Sequence, residues 1–315
     1  MVGTGPAAPG GSKGTVGSSA SPADEAEGPL DLFARGRLSL PMAAMRAVLE
    51  TEDSTALAGA VSRARGRWGE AVLAPLLAVL DPAAEARVRA AAAAVDHSYR
   101  SPSPELVLAR IAAGFDRAAA VSPDAGAALY SLGDPGLLAQ ATAEVVAWLR
   151  GHGLLRPGLR ALEVGCGAGR FLRALAAEAE VVVGVEISSA MASEAARRLA
   201  GAPNAAVVSG SGRDLAFVAD ASIDLVLYAD SFPYVVQAGG DLPLRLLRET
   251  ARVLRAGGHA AVLNWSYRND PDLDACERAD LAGRCGFEER PCDPRPFLMW
   301  DATAAILRRG PRSAS

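Results

Sequence analysis

The sequence predicts an α/β protein in which a doubly wound, mostly parallel sheet follows an all-helical region. Apolar runs typical of buried strands alternate with helical segments through the second half of the chain. The first of these strands ends in a glycine-rich loop that opens a helix. Upstream, residues 30–150 combine a high alanine content with apolar residues at helical spacing, which predicts helices throughout.

The first predicted strand lies in the segment ALEVGCGAGRFL, at Ala161–Leu172. Glycines at alternate positions follow it, and a helix is predicted from Arg170 to Ala179. Residues without a Cβ let a ligand come close to backbone N–H groups at such a strand–helix turn. Glu163, at the carboxyl end of the strand, points to a nucleotide-like ligand with a cationic or hydroxyl-rich part. The dinucleotide-binding fingerprint requires a third glycine where this chain has Arg170.

The following elements keep the same alternation. VVVGVEIS, at Val181–Ser188, is predicted as a second buried strand, and it ends near Glu186, where a doubly wound fold places the carboxylate that binds a ribose diol. Leu246, Leu247, Val253 and Leu254 lie at helical spacing between the fourth and fifth strands. The remaining strands are predicted within Ala205–Gly210, Ile223–Val235, Arg255–Trp265 and Ala302–Arg309.

The E-x-G-x-G-x-G spacing and the order of the later strands resemble class I S-adenosylmethionine-dependent methyltransferases. The resemblance covers about residues 161–309, roughly half of the chain. It implies a Rossmann-like, seven-stranded sheet whose last strand is antiparallel, with S-adenosylmethionine as the cofactor. It also implies in-line transfer of a methyl group to an O, N or C atom of a small organic acceptor, with secondary metabolism as the expected setting.

The resemblance assigns a cofactor-binding role to residues in several segments. Glu186 would hold the ribose hydroxyls. Many relatives bind the adenine amino group with an Asp where this chain has Ser211, so Asp214 or backbone groups are the alternatives. Tyr130 would cover the cofactor or anchor the joint between the two regions. The complete predicted set is Tyr130, Glu163, Gly165, Cys166, Gly167, Gly169, Glu186, Ile187, Ser211, Asp214 and Asp230.

The acceptor is expected beside the loops that follow the fourth, fifth and sixth strands, because ligands lie at the carboxyl ends of such strands. A parallel sixth strand and an antiparallel seventh would put their connection on that side. Aromatic side chains are concentrated in these loops and suit an apolar acceptor or the sulfonium. Asp230 and Tyr234 are the candidate catalytic residues. The predicted substrate residues are Ser231, Phe232, Trp265, Tyr267, Arg295 and Trp300.

Other features limit the classes of function. The formal net charge of −4, without a basic cluster, argues against nucleic acid as a partner. No apolar run is long enough for a membrane span. The four cysteines are irregularly spaced and predict no metal site, and the histidines, His97, His152 and His259, are expected to be ordinary surface residues. The predicted location is the cytoplasm.

The predicted organisation is a disordered tail at 1–29, a helical accessory region at 30–150 and the methyltransferase domain at 151–315. The helical region would form a lid, a homodimer contact or a purely structural cap. Two other functions remain open at this point: a non-catalytic S-adenosylmethionine-binding or scaffold protein, and an NAD(P)-dependent oxidoreductase.

Overall fold

The computed structural model describes residues 27–311. The predicted tail lies outside the described residues up to position 26, and Pro29 is already the first residue of a helix. The helices are α1 (Pro29–Ala34), α2 (Leu40–Leu49), α3 (Ser54–Trp68), α4 (Glu70–Val79), α5 (Pro82–Ala94), α6 (Pro104–Val121), α7 (Pro123–Ala127), α8 (Pro135–Gly151), α9 (Arg170–Leu175), α10 (Ser189–Arg198), α11 (Phe232–Ala238), α12 (Leu242–Val253) and α13 (Pro271–Arg284), with a 3₁₀ turn at Leu129–Ser131. The strands are β1 (Arg160–Val164), β2 (Val181–Glu186), β3 (Ala205–Ser209), β4 (Ile223–Ala229), β5 (Leu254–Leu263), β6 (Phe287–Arg290) and β7 (Ala304–Arg309).

The seven strands form one sheet in the order β3-β2-β1-β4-β5-β7-β6. Strands β1 to β5 are parallel to one another, and β7 is antiparallel to both β5 and β6. The predicted doubly wound sheet with an antiparallel last strand is therefore confirmed. The strand order reverses between β1 and β4, which is where such sheets bind ligands.

Both faces of the sheet are covered, because alternate strand residues point to opposite sides. Along β4, Leu225 and Leu227 join a core with residues of α8 and α9. Val226 and Tyr228, the intervening residues, join a second core with residues of α11 and α12. The near-continuous apolar strands of the sequence follow from this double burial.

Several helices begin at a Ser-Pro or Asp-Pro pair. Proline at the first helical position has a suitable φ and needs no hydrogen-bond partner for its nitrogen. The preceding Ser or Asp side chain accepts a hydrogen bond from a backbone N–H of the first turn. Asp81, Ser103, Ser122, Asp134 and Asp270 cap α5, α6, α7, α8 and α13 in this way.

The region 30–150 is helical, and its helices pack in two different ways. Helices α1 to α5 enclose a separate core, which Leu132 and Leu137 complete and in which Leu73, Leu76 and Val88 are fully buried. In contrast, α6 contributes Leu108 and Ile111 to one face of the sheet, and α8 packs on the other face. The division into two units at residue 150 remains a prediction. Within the ranges that the structure describes, no helix combines the length and the apolar character needed to cross a membrane.

A carboxylate of α6 holds this helix to the end of β2. Asp116 accepts hydrogen bonds from the Ser188 hydroxyl at 2.6 Å and from the Ala190 backbone N–H at 3.0 Å. Burial disfavours the charged form of this carboxylate, but the hydrogen bonds outweigh it and lower the pKa of Asp116. The start of α10 is thereby fixed to the helical region.

Replacing Asp116 with Ala should lower the free energy of unfolding by about 1.5–3 kcal/mol at pH 7, the usual contribution of a hydrogen bond to a charged group. Because the folded-state pKa of Asp116 is lowered, the difference from the wild type should be fully present above the ordinary pKa of an aspartate. It should shrink as the pH falls through the lower folded-state value. Urea denaturation at several pH values measures this difference. Glu52→Ala, which removes an exposed carboxylate from a turn, is the matched control.

Candidate functional site

A cavity of about 740 Å³ lies at the carboxyl ends of the central strands, within the range typical of small-molecule sites. Glu163 of β1, Glu186 of β2, Asp230 after β4 and Asn264 after β5 all line it. Helices α2 and α6 contribute to the opposite wall. Among residues 27–311 no group of three or more His, Cys, Asp or Glu side chains is arranged to hold a metal ion.

The backbone N–H groups of the glycine loop are largely engaged within the protein. The N–H groups of Gly165 and Cys166 donate to the Val185 carbonyl, at 2.8 and 3.1 Å. The N–H of Gly167 donates to the Glu186 carboxylate at 2.8 Å. These groups are therefore not the free donors that the sequence suggested. Gly165, Cys166 and Gly167 line the cavity mainly as a close-fitting surface.

Gly169 serves packing and does not line the cavity. Its φ is +80°, and a Cβ at this position would lie 3.0 Å from the Cβ of Ala195 in α10. The predicted role of Gly169 in cofactor binding remains a prediction, and the residue does not line the cavity.

Glu186 is 5% exposed and is held by two backbone N–H groups. Besides the bond from Gly167, its second carboxylate oxygen accepts a hydrogen bond from the Ser188 N–H at 2.8 Å. Burial raises the pKa of Glu186, and the backbone hydrogen bonds act against this shift. The side chain thus has a fixed orientation, and its remaining acceptor capacity is available to a ligand hydroxyl.

Glu163 has an unsatisfied carboxylate oxygen. The side chain is 1% exposed, and among the described residues its Oε2 atom has no hydrogen-bond partner. Burial raises its pKa well above the ordinary value, Arg170 opposes this, and Glu186 adds to it. A buried acceptor without a donor is costly. A ligand donor, in particular an ammonium group, would satisfy it.

Tyr130 lies on the cavity wall, in a cluster that joins three segments. Its hydroxyl accepts a hydrogen bond from Arg170 at 2.6 Å, and its ring stacks on Trp300 at 5.4 Å between centroids. The guanidinium of Arg170 lies 5.7 Å from the centroid of each of these two rings. The connection that carries Trp300 is anchored by Glu144 of α8, which accepts backbone N–H groups of this segment.

Asp230 and Asn264 follow adjacent strands and both have left-handed backbone conformations, with φ of +65° and +63°. The Asn264 amide donates to the Asp230 carboxylate at 2.8 Å, and Thr303 holds Asn264 through two further hydrogen bonds. Strained backbone of this kind costs about 1–3 kcal/mol per residue and is concentrated at functional sites. Burial raises the pKa of Asp230, and the Asn264 hydrogen bond partly offsets this.

An aromatic wall lies beside Asp230. Tyr234 contacts Phe115 of α6 at 5.2 Å and Tyr267 at 5.6 Å between ring centroids. The ring of His97 lies 5.7 Å from Tyr234 and 5.5 Å from Tyr267. The expectation that His97 is an ordinary surface residue was wrong in one respect: the side chain is exposed, but it lines this cavity.

Two of the predicted substrate residues lie in the core and not on the cavity wall. Phe232 is fully buried, and its ring contacts Tyr228 and Trp265. Trp265 is 2% exposed and donates a hydrogen bond to Glu277. Both rings pack between β4 and the helices of that face, because the first turn of α11 directs Phe232 inward while Tyr234 points to the cavity.

The other predicted residues divide between the cavity wall and the exposed surface. Ile187, Ser231, Tyr267, Arg295 and Trp300 line the cavity. The Ser231 hydroxyl is engaged with the carbonyl of Val164. Ser211 and Asp214 are exposed, and from their loop only Gly212 reaches the cavity. The adenine contact of Ser211 or Asp214 therefore remains a prediction.

The predicted lid named only Tyr130 in the helical region, and the other helical residues on the cavity wall were not predicted. Its amphipathic spacing shows which residues are apolar but not which cavity they face. Helix α2 contributes a patch of methionines and an arginine, and α6 contributes an apolar edge. The residues concerned are Met42, Met45, Arg46, Leu49, Leu108, Ile111 and Phe115.

Comparison with known proteins identifies the segment that contains the carboxylates at the ends of β1, β2 and β4. Residues 162–262 match the model of a family described as a methyltransferase domain. No curated protein matches the chain.

Three solved structures illustrate the similarity to known folds. An S-adenosylmethionine-dependent methyltransferase of Aquifex aeolicus is 19% identical and covers 56% of this chain and 95% of its own, with a TM-score of 0.44. A magnesium protoporphyrin IX methyltransferase of Synechocystis with S-adenosylmethionine bound is 20% identical (55% and 80% covered, TM-score 0.42). A phosphoethanolamine N-methyltransferase of Haemonchus contortus is 16% identical (56% and 43% covered, TM-score 0.44).

Gly165→Ala should destabilise the protein more than Gly153→Ala. Both glycines have a left-handed φ, +75° and +69°, so both substitutions impose similar backbone strain. A Cβ at Gly165 would lie 2.4 Å from the Cβ of Ser231, whereas nothing lies within 4 Å of a Cβ at Gly153. We expect an additional loss of about 1–3 kcal/mol for Gly165→Ala, measured by urea denaturation. Equal losses for the two variants would mean that the contact with Ser231 relaxes without cost.

Proposed function

We propose that this chain, a class I S-adenosylmethionine-dependent methyltransferase by its matched domain and its strand order, transfers a methyl group to a small organic acceptor. The main support for the proposal is the set of three carboxylates at the ends of β1, β2 and β4, which all line one cavity. Glu163 and Glu186 are buried, and Asp230 is partly buried. Each carboxylate has a different protein environment, which suits a ligand with several distinct polar groups.

The residues present fit S-adenosylmethionine. The unpartnered Oε2 of Glu163 would accept from the methionyl ammonium group. Glu186, fixed by the N–H groups of Gly167 and Ser188, would accept from the ribose hydroxyls. The apolar side chain of Ile187 and the edge of α6 would cover the adenine ring.

When bound, S-adenosylmethionine supplies an electrophilic methyl group on a positively charged sulfur. The chain's contribution is to hold the acceptor in line with that group and to keep water away, since orientation alone recovers about 7–11 kcal/mol of a barrier. A carboxylate in contact with the sulfonium would stabilise the reactants more than the transition state. We therefore assign Asp230, oriented by Asn264, to the acceptor or to the methionyl ammonium group.

The acceptor would bind between the aromatic wall and the segment of Trp300. Tyr234 and Tyr267 supply ring surfaces and hydroxyl groups on one side, and the methionines of α2 supply an adaptable apolar surface on the other. Arg295 is exposed at this cavity and would meet an acidic group of the acceptor. A homodimer through the helical region and a location in the cytoplasm remain predictions.

Calorimetry with S-adenosylhomocysteine and with NAD tests the cofactor. We expect S-adenosylhomocysteine to bind and NAD not to bind, because Arg170 occupies the position of the third glycine that a dinucleotide site requires. At 100 times its Kd, S-adenosylhomocysteine should stabilise the fold by about 2.7 kcal/mol. Binding of NAD without binding of S-adenosylhomocysteine would contradict the proposal.

Glu186→Ala should weaken the binding of S-adenosylhomocysteine about tenfold to a hundredfold, because hydrogen bonds to a charged acceptor usually contribute about 1.5–3 kcal/mol. Glu180→Ala is the matched control, since this exposed residue directly precedes the same strand, at its opposite end. Calorimetry gives both affinities, and circular dichroism verifies that both variants are folded. An unchanged affinity of Glu186→Ala would assign the ribose contact to another residue.

A further inference from the structure

We propose that His97 accepts the proton of the acceptor's nucleophile and that the acceptor is a phenol-type hydroxyl compound. This inference rests on the proposed methyl transfer and deepens it, since it names the acceptor class and a catalytic residue from the helical region. Three observations carry it: the place of His97 on the cavity wall, the rings that surround it, and the engagement of the nearby carboxylates.

His97 reaches the cavity from the segment that follows α5. Its ring packs at a tilt on Tyr234 and edge-on against Tyr267. Tyr267 in turn places its hydroxyl 3.5 Å from the backbone carbonyl of Asp230. Only the side chain of Tyr267 therefore separates the imidazole from the end of β4, where the methyl group is expected.

The imidazole nitrogens are available to a ligand. Among the described residues, the structure shows no hydrogen bond to either ring nitrogen of His97, whose backbone carbonyl accepts from Arg100. His152 and His259 do not line the cavity, so His97 is the histidine that an acceptor can meet there.

Three of the carboxylates on this side of the cavity already serve the structure. Asp270 caps α13, Asp274 binds Ser266 and Arg268, and Asp230 holds the Asn264 amide. Asp301 also lines the cavity, where the positive charges of Arg295 and Arg46 favour its ionised form. The imidazole, in contrast, has no cationic partner in the part of the chain that the structure describes, and we assign the proton to it.

The charge state of His97 agrees with this role. Partial removal of the ring from water lowers the pKa of the imidazole, although the residue stays exposed, and Asp96 acts in the opposite direction. The other titratable groups facing it are the hydroxyls of Tyr234 and Tyr267, whose rings contact it, with Asp230 beyond them. A lowered pKa keeps the ring neutral near pH 7, so that it can accept a proton.

The surrounding rings favour an aromatic acceptor. Phe115, Tyr234, Tyr267 and His97 form a continuous wall with centroid spacings of 5.2–5.7 Å. Aromatic rings prefer such edge-to-face and offset contacts, and a phenol ring would extend the same packing. Its hydroxyl would then be directed at the imidazole.

Methyl transfer to a hydroxyl group moves one proton and one methyl group. The acceptor O–H bond breaks, and the proton goes to a ring nitrogen of His97. The oxygen forms a bond to the methyl carbon, and the carbon–sulfur bond breaks with its electron pair remaining on sulfur. One positive charge thus passes from the sulfonium to the imidazolium, which releases the proton to water.

Binding of a matched probe pair to the S-adenosylhomocysteine complex tests this inference without an identified acceptor. 4-Nitrophenol can donate a proton, whereas 4-nitroanisole has the same ring with a methylated oxygen. His97→Phe keeps a ring against Tyr234 and Tyr267 but removes the nitrogen acceptor. We expect this variant to bind 4-nitrophenol about tenfold more weakly and 4-nitroanisole with unchanged affinity. The absorbance shift of bound 4-nitrophenol, which reports sharing of its proton, should also disappear.

His152→Phe is the control, because His152 packs on Trp148 away from the cavity. Equal losses for both probes in His97→Phe would reduce His97 to a packing residue and overturn the proposal. Tighter binding of 4-nitrobenzylamine than of 4-nitrophenol, independent of His97, would favour an amine acceptor and also overturn it. S-adenosylhomocysteine should bind normally to His97→Phe, and its failure to bind to any form of the protein would contradict the methyltransferase function itself.

Discussion

The buried carboxylate of Glu186 is the contact on which the arrangement of the site depends. It ends β2, accepts the N–H of Gly167 in the loop after β1, and accepts the N–H of Ser188 before α10. Asp116 of α6 binds the Ser188 side chain, so the helical region is tied to the same point. Burying a charge is costly unless hydrogen bonds compensate for it. The glycine loop therefore cannot move without removing a donor from this carboxylate, and α6 is held to the turn that carries the second donor.

A second constraint operates at the ends of β4 and β5. Asp230 and Asn264 both adopt left-handed conformations, which Asp and Asn tolerate better than most residues because their short polar side chains bond locally. Their mutual hydrogen bond and the two hydrogen bonds exchanged between Asn264 and Thr303 compensate for this strain. The result is a carboxylate whose direction is set by three segments, including the start of the last strand. Such preorganisation is useful for chemistry that depends mainly on positioning.

Local sequence patterns were sufficient to predict the sheet, and they failed where the answer depended on tertiary packing. Glycine spacing and apolar runs identified the strands and the ends of β1 and β2, because these signals are properties of a few consecutive residues. Phe232 and Trp265 lie in the core because the turn after β4 fixes which face each side chain takes. The part of α2 on the cavity wall and the place of His97 depend on how the helical region packs on the sheet. No local pattern contains that information.

The helical region is consequently more than a neighbouring unit, because the site is incomplete without it. The chain from β1 onward supplies the carboxylates, but the methionines of α2, the ring of Tyr130 and the edge of α6 close the cavity around them. Electrostatic interactions are stronger where water is excluded, and a reactive sulfonium is protected there from hydrolysis. The Tyr130–Arg170–Trp300 cluster links the glycine loop, the helical region and the last connection of the sheet. The shape of the cavity therefore depends on the helical region, while the carboxylates are supplied by the strand ends.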